Sequence, residues 1–287
     1  MRALGACLSP HAGRGRLLRS ATAFAVALAF NAIGVTTMAV SASADTVTLY
    51  AAGSLRGALS DVAKAYEAKS GHKVETKFGP SGLLRREIAG GAKADVFASA
   101  NMTHPQALHE AGNTGPVTRF ARNKLCALVK PGLDVTSETL LAGMLEPGVK
   151  VGTSTPKADP SGDYAFESFA KAEAVRPGAK ATLEQKAQKL TGAKDSATPP
   201  KGRIAYGWHV DEGRADIFLT YCTNVLAAKK QYAAQQMVEL PDSLSVGAEY
   251  GLAVMNGAPA PGQQLADFIL SPDGQKILAS YGFASGK

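Results

Sequence analysis

Hydrophobic patterns typical of strands alternate with patterns typical of helices along the first third of the chain. Apolar and polar residues alternate over 46–50 and 73–78, which predicts two β-strands, and 94–99 is a continuously apolar third strand. Residues 58–66 and 83–89 carry apolar side chains at helical spacing between these strands. Buried strands that alternate with helices predict a parallel sheet with helices on both faces.

The same alternation continues to the end of the chain, so the predicted fold class is α/β. Further strands are predicted at 123–129, 150–154, 215–221, 237–240 and 248–254. Further helices are predicted at 137–145, 164–174, 203–212, 261–270 and 271–280. No internal repeat or low-complexity tract interrupts the pattern.

Residues 1–44 have the order of a secretory signal peptide. Four arginines and no acidic residue precede an uncharged apolar run over 21–40, which ends in Ala42-Ser43-Ala44. Cleavage is predicted between Ala44 and Asp45, and we expect a soluble periplasmic protein because Cys7 lies too early for a lipid-attachment site. The leader accounts for four of the seven net positive charges, so the basic balance argues little for nucleic-acid binding.

Only Cys126 and Cys222 follow the predicted cleavage site. Each lies in an apolar, strand-like context, and we expect buried thiols rather than a disulfide, although an oxidising compartment leaves that alternative open. The cysteines and histidines show no zinc-binding spacing, so no metal cluster and no cofactor are expected.

Three serines stand where a predicted strand turns into a helix. Ser54 and Ser81 follow the first two strands, and Ser161 precedes the helix at 164–174. Ligands of open α/β sheets bind beyond the carboxyl ends of the strands, and helix N-termini favour anions, so these turns predict an oxyanion site. The alternative for Ser54 is an ordinary helix N-cap. Tyr221 ends a strand and could donate a hydrogen bond, or it could be a rim aromatic.

Five segments together resemble the molybdate-binding periplasmic proteins of ABC importers. They are residues 47–55 (VTLYAAGSL), 78–81 (FGPS), 94–101 (ADVFASAN), 160–165 (PSGDYA) and the closing stretch 271–283. The resemblance covers the whole predicted mature chain. It implies a two-lobed type II periplasmic binding protein fold, each lobe a mainly parallel sheet flanked by helices, with the ligand in a cleft between the lobes. Lobe 1 would comprise 45–126 and 235–287, and lobe 2 would comprise 127–234.

The resemblance also implies a ligand site and partners. Ser54 and Ser81 would donate through their hydroxyls, Tyr221 through its phenol, and Ser161 and Arg203 through backbone N–H groups. Ser161 and Arg203 replace small or apolar residues of the family, so Ser161 could add a hydroxyl donor and Arg203 a charge. The implied partners are a membrane permease, the only expected contact with the membrane, and a cytoplasmic ATPase, and we expect a monomer without enzymatic activity.

Neutral donors are sufficient to hold a dianion such as molybdate or tungstate. A hydrogen bond to a charged group contributes about 1.5–3 kcal/mol, so about six give roughly 9–18 kcal/mol before the losses of immobilisation and desolvation. Micromolar to nanomolar binding needs only about 8–12 kcal/mol. A pocket of donors also disfavours hydrogen phosphate, whose proton needs an acceptor, and Asp163 is the nearest candidate acceptor in sequence.

Two alternative functions stay open at this point. The same fold could bind sulfate, a phosphonate or a small carboxylate, which the charge of Arg203 favours. Ser54 could instead be the nucleophile of an exported serine hydrolase, but no Gly-x-Ser-x-Gly elbow is present. The five histidines have no triad context and are interpreted as surface or capping residues: His11, His72, His104, His109 and His209.

Overall fold

The eight predicted strands and two further ones assemble into one mixed sheet of ten strands. The computed structural model describes residues 45–287, and the predicted signal peptide, residues 1–44, lies outside the described residues. The strands are β1 (Thr46–Ala52), β2 (Lys73–Gly79), β3 (Val96–Ser99), β4 (Thr118–Val129), β5 (Val151–Ser154), β6 (Gln188–Thr191), β7 (Ile217–Tyr221), β8 (Gln236–Glu239), β9 (Gly247–Val254) and β10 (Ala284–Ser285).

Helices follow or connect these strands, as the alternating pattern predicts. They are α1 (Arg56–Ser70), α2 (Ser81–Ala89), α3 (Thr103–Glu110), α4 (Leu140–Leu145), α5 (Pro160–Val175), α6 (Ala179–Lys186), α7 (Ala205–Asp211), α8 (Cys222–Lys229), α9 (Ala260–Leu270) and α10 (Pro272–Ser280). A single 3-10 turn, Gly53–Leu55, precedes α1. In the part of the chain that the structure describes, no helix is both long and apolar enough to span a membrane.

The sheet consists of two half-sheets that share strand β4. The strand order is β2-β1-β3-β9-β4-β7-β5-β6, and β8 and β10 also pair with β4. In the first half-sheet β1 runs parallel to β2 and β3, and in the second β5 runs parallel to β6 and β7. The antiparallel strands β9 and β4 join these parallel parts. The predicted α/β class is therefore confirmed, with antiparallel strands at the junction.

Strand β4 changes partners part-way along its length. Its residues 118–124 pair with β9, whereas 125–129 pair with β7 and 126–129 with β8. The chain thus enters the second half-sheet within β4 and returns to the first after β8. The boundaries of the two lobes stay a prediction, because residues 45–287 all fall within one compact unit.

Burial follows the hydrophobic pattern from which the elements are predicted. Every residue of β3 and of β7 is buried, as expected for strands covered on both faces. Helix α1 buries its apolar stripe from Ala58 to Tyr66 and ends at Gly71, whose φ of 78° is left-handed. Glycine adopts that conformation without the steric cost that a Cβ atom adds, so the helix ends there.

Cys126 and Cys222 form a disulfide, so the predicted buried thiols are wrong. Their Cα atoms lie 4.8 Å apart although 96 positions separate them in sequence. The pairing of β4 with β7 places Cys126 opposite Thr220, two residues before Cys222 at the start of α8. This proximity depends on strand pairing, which the local apolar context of each cysteine does not reveal.

Removal of this disulfide should lower the stability of the protein. A cross-link over a loop of this length restricts the unfolded chain, so the Cys126→Ser/Cys222→Ser variant should lose about 2–5 kcal/mol of unfolding free energy. Denaturant unfolding of both proteins measures the difference. A thiol reductant should destabilise the wild type and leave the double variant unchanged. Equal unfolding free energies in non-reducing buffer would contradict the prediction.

Candidate functional site

The three predicted serines occupy the turns at the carboxyl ends of β1, β2 and β5. Ser54 lies in the 3-10 turn after β1, Ser81 is the first residue of α2, and Ser161 is the second residue of α5. Ser81 and Ser161 are buried and Ser54 is half-buried. All three stand at strand-to-helix turns, where ligands of α/β sheets bind.

Ser54 pairs with a tyrosine rather than capping a helix. Its Oγ lies 3.1 Å from Tyr250 Oη. Neither the 3-10 turn nor α1 has a side-chain hydrogen bond at its N-cap. The N-cap alternative for Ser54 is therefore wrong. Asn123 Nδ2 lies 3.4 Å from the same phenol oxygen and donates to it. Either hydroxyl of the Ser54–Tyr250 pair can donate to the other, so one of their two hydrogens stays free to point elsewhere.

Ser81 and Tyr221 meet at the peptide groups of Ala100, just after β3. The Ala100 N–H donates to Ser81 Oγ at 3.1 Å, and Tyr221 Oη donates to Ala100 O at 3.3 Å. Because Ser81 accepts this bond with its oxygen, its own hydrogen stays available for donation. Two predicted site residues from different half-sheets are thus connected through one residue.

A cluster of tyrosine rings lies beside these hydroxyls. The Tyr221 ring centroid is 5.5 Å from that of Tyr250 and 6.3 Å from that of Tyr164. Tyr221 is only 1% exposed, so the rim-aromatic alternative is wrong. Burial raises the pKa of Tyr221 well above its ordinary value and also raises the pKa of Tyr250. Both phenols therefore stay protonated at neutral pH and can donate hydrogen bonds.

Ser161 lies at the amino end of α5, where Asp159 is the N-cap residue. The Ser161 N–H donates to Asp159 Oδ1 at 3.1 Å. The Ser161 hydroxyl lies 3.4 Å from Thr220 Oγ1, and Thr220 directly precedes Tyr221. The backbone donor that the family resemblance implies is therefore present at this turn and engaged by a carboxylate.

A close backbone contact brings the Ser81 turn against the loop before Ser161. The Gly82 N–H donates to Ala158 O at 2.9 Å. A Cβ atom on Gly82 would lie 2.4 Å from Lys157 O and 2.8 Å from Ala158 O, which no side chain tolerates without movement. Glycine at this position allows the first-half-sheet turn to approach the second-half-sheet loop.

Arg203 lies apart from the other four predicted residues. It is exposed, and its N–H donates to Pro200 O at 3.0 Å. Its guanidinium carbon lies 5.5 Å from the centre of the Tyr232 ring. The structure thus brings Ser54, Ser81, Ser161 and Tyr221 together through shared neighbours and does not add Arg203 to them.

The sequence reasoning missed Tyr250 and Asn123. Tyr250 is fully buried on β9 between the equally buried Ala248 and Leu252. A tyrosine in a row of inward apolar positions must place its hydroxyl against a polar partner, and that signal was readable. Asn123 carries no such signal, because nothing in its local sequence points to Tyr250.

Two of the histidines differ from the interpretation as surface or capping residues. His104 and His209 are buried, and burial together with nearby arginines lowers the pKa of each to about 4. Within residues 45–287, no histidine ring hydrogen-bonds a serine hydroxyl; His109 contacts Thr114 O and His209 contacts Arg214. His11 lies outside the described residues. The same range holds no group of three or more His, Cys, Asp or Glu side chains arranged to bind a metal ion.

Comparison with known proteins assigns the chain to a family. Residues 47–284 match the family described as bacterial extracellular solute-binding protein. The chain belongs to this family. Its members are extracellular proteins that bind solutes, which agrees with the coarse prediction of an exported binding protein.

Two curated relatives of this solute-binding protein cover most of its length. The uncharacterized protein PM1146 of Pasteurella multocida is 35% identical over 237 residues, which are 82% of this chain and 97% of the relative. The molybdate-binding protein ModA of Escherichia coli is 27% identical over 245 residues, which are 83% of this chain and 88% of ModA. The predicted resemblance to molybdate-binding proteins is confirmed.

Solved structures confirm the two-lobed fold of the solute-binding protein. The periplasmic molybdate-binding protein of Azotobacter vinelandii gives a TM-score of 0.66 at 20% identity, covering 83% of this chain and 98% of that chain. The sulfate-binding protein SubI of Mycobacterium tuberculosis gives a TM-score of 0.69 at 22% identity, covering 84% and 87%. At such identities the likeness concerns the fold.

The contact at Gly82 should limit which side chains this solute-binding protein tolerates. The Gly82→Ala variant should lose about 1–3 kcal/mol of unfolding free energy, because its methyl group forces α2 away from the loop at Lys157 and Ala158. Thermal unfolding measures the loss. Gly53→Ala is the matched control, since a Cβ there would lie in ordinary contact, 4.0 Å from Gly79 O. Equal stability of the two variants would contradict the steric argument.

Proposed function

We propose that this protein captures a tetrahedral oxyanion, molybdate or tungstate foremost, for import by an ABC transporter. The observation that carries the proposal is the convergence of neutral donors: Ser81 and Tyr221 share Ala100, and Ser54 lies on Tyr250 beside Tyr221. The family assignment supports solute binding, and the name of the Escherichia coli relative supports molybdate.

The donors suit a fully deprotonated anion. Ser81 and the Ser54–Tyr250 pair each have one hydroxyl hydrogen to offer. The buried phenol of Tyr221 stays protonated, and its hydrogen would turn from Ala100 O to the ligand. The Ser161 N–H stands at the amino end of the 16-residue helix α5, where the helix dipole favours negative charge. We propose Ser54, Ser81, Ser161 and Tyr221 as the ligand-binding residues, and we add Tyr250 as a fifth group.

We propose a smaller role in ligand binding for Arg203. Its side chain lies over Tyr232, so we assign no charge pairing with the ligand to its guanidinium. Its backbone N–H stays a predicted donor that would have to leave Pro200 O when the ligand binds. The anion would then be held by neutral groups alone, as the energetic estimate for six donors allows.

The remaining predictions follow from the proposed function. A permease and an ATPase of the importer would be the partners, the protein would act as a periplasmic monomer, and it would need neither a cofactor nor catalysis. Sulfate, a phosphonate or a small carboxylate stays the alternative ligand. The charge of Arg203 was the feature that favoured this alternative, and its position over Tyr232 weakens that support.

Thermal unfolding of residues 45–287 with four anions tests the proposal. Molybdate or tungstate at about 100 times its dissociation constant should add about 2.7 kcal/mol, which raises the midpoint of a chain of this size by about 5–11 °C. Sulfate and phosphate should shift the midpoint much less. No shift with any of the four anions would refute the oxyanion assignment.

Single substitutions test the individual donors. Ser54→Ala, Ser81→Ala and Tyr250→Phe should each weaken molybdate binding by about 10–150-fold, because each removes a hydrogen-bonding hydroxyl worth about 1.5–3 kcal/mol toward a charged ligand. Arg203→Ala keeps the backbone N–H and should bind as the wild type does. Titration calorimetry measures these affinities. A large loss in Arg203→Ala with intact binding in the serine variants would favour the carboxylate alternative, and ester hydrolysis that Ser54→Ala abolishes would favour the hydrolase.

A further inference from the structure

Asp159 occupies the position where the proposed anion would meet helix α5. Its Oδ1 accepts the Ser161 N–H at 3.1 Å. The proposed function, on which this inference rests, gives the same N–H to the ligand. A carboxylate and an oxyanion would then compete for one donor, and both are negative when ionised.

In the part of the chain that the structure describes, no cationic side chain acts on the Asp159 carboxylate. Its side chain packs against Gly192 after β6, where a Cβ would lie 2.6 Å from Asp159 Cβ. Within residues 45–287, the titratable groups that interact electrostatically with the Asp159 carboxylate are Asp163 of α5, Tyr206 of α7 and Tyr221 of β7. None of these three is a cation, and Asp163 is acidic.

Asp163, the acceptor suggested by sequence, faces a different group. Its Oδ1 accepts the Lys157 N–H at 2.7 Å, outside the Ser161 turn. Asp159 is therefore the carboxylate at the proposed anion site. Of the two, Asp159 alone shares a hydrogen bond with a predicted ligand donor.

We propose that Asp159 is a specificity-determining residue that couples anion binding to a proton, so that a doubly charged oxyanion binds together with one proton taken up by this carboxyl group. An ionised Asp159 beside a dianion would place like charges around one N–H, which costs free energy because the two charges repel each other. A protonated Asp159 releases that N–H to the ligand and can itself donate.

The direction of the pH dependence follows from this arrangement. Burial raises the pKa of Asp159 to about 6 before the anion binds. A bound dianion raises the pKa of the carboxyl further, because a neighbouring negative charge disfavours ionisation. The affinity for the dianion is therefore constant below the pKa of Asp159 in the free protein. Above that pKa, the affinity falls by up to about tenfold for each pH unit, until the pH reaches the pKa of Asp159 in the complex.

Calorimetric titration with tungstate at about pH 7 and about pH 8 tests the proposal, because tungstate carries two charges at both. The wild type should bind more weakly at the higher pH and should take up about one proton, measured as a heat that varies with the ionisation enthalpy of the buffer. Asp159→Asn keeps an oxygen acceptor for the N-cap. It should bind tungstate with no pH dependence and no proton uptake, at least as tightly as the wild type does at pH 7.

Asp163→Asn is the matched control, because it removes an acidic group four residues away on the same helix. It should keep the proton uptake of the wild type. A wild type that binds tungstate equally at both pH values, or an Asp159→Asn variant that still takes up a proton, would overturn the inference and leave the proposed function intact. Absence of tungstate binding by all three proteins would overturn both.

Discussion

The arrangement of the site depends on strand β4, which is hydrogen-bonded into both half-sheets. Tyr250 of β9 stands opposite Ala121 and Tyr221 of β7 stands opposite Leu125, four residues further along the same strand. One strand therefore places both buried tyrosines. Between these positions, Asn123 donates to Tyr250 Oη and to Thr223 Oγ1, and the disulfide at Cys126 joins β4 to the start of α8.

A close contact between two backbone segments also positions the site residues, in addition to strand β4. The three serines come from turns that are far apart in sequence. Strands β1 and β2 pass almost directly into helical segments, whereas residues 155–159 connect β5 to α5. Gly82 lets the Ser81 turn reach the loop before Ser161, and the backbone bond from Gly82 to Ala158 makes that approach specific. Small residues at such turns therefore allow the donors to come close together, and they also permit the local backbone conformation.

The polar groups of the site divide into neutral donors and one carboxylate. Hydroxyls and N–H groups can be buried at modest cost as long as each has a partner, whereas a buried carboxylate keeps its charge only where hydrogen bonds or cations support it. Ser54, Ser81 and Tyr221 have neutral partners. Asp159 accepts the Ser161 N–H, and among residues 45–287 no cation acts on it, which is the physical reason why its ionisation would respond to an anion.

Most strands and helices could be predicted from the sequence because their signals are local. The strand patterns of β1, β2 and β7 and the apolar stripe of α1 reflect burial that repeats every two or every three to four residues. Helices α3, α6 and α8 and strands β6 and β10 are not predicted from the sequence. Helix α8 follows β7 without an intervening turn signal, since Cys222 begins the helix directly after Tyr221.

The sequence by itself determined the α/β class, the three serine turns and the family resemblance, since each rests on neighbouring residues or on motifs in order. Only the tertiary structure decided the disulfide, the pairing of Ser54 with Tyr250, the separate position of Arg203 and the carboxylate of Asp159 at the Ser161 N–H. These features join residues that are distant in sequence or depend on the side of a turn to which a side chain points. Strand pairing and packing set both, and local periodicity contains no information about either.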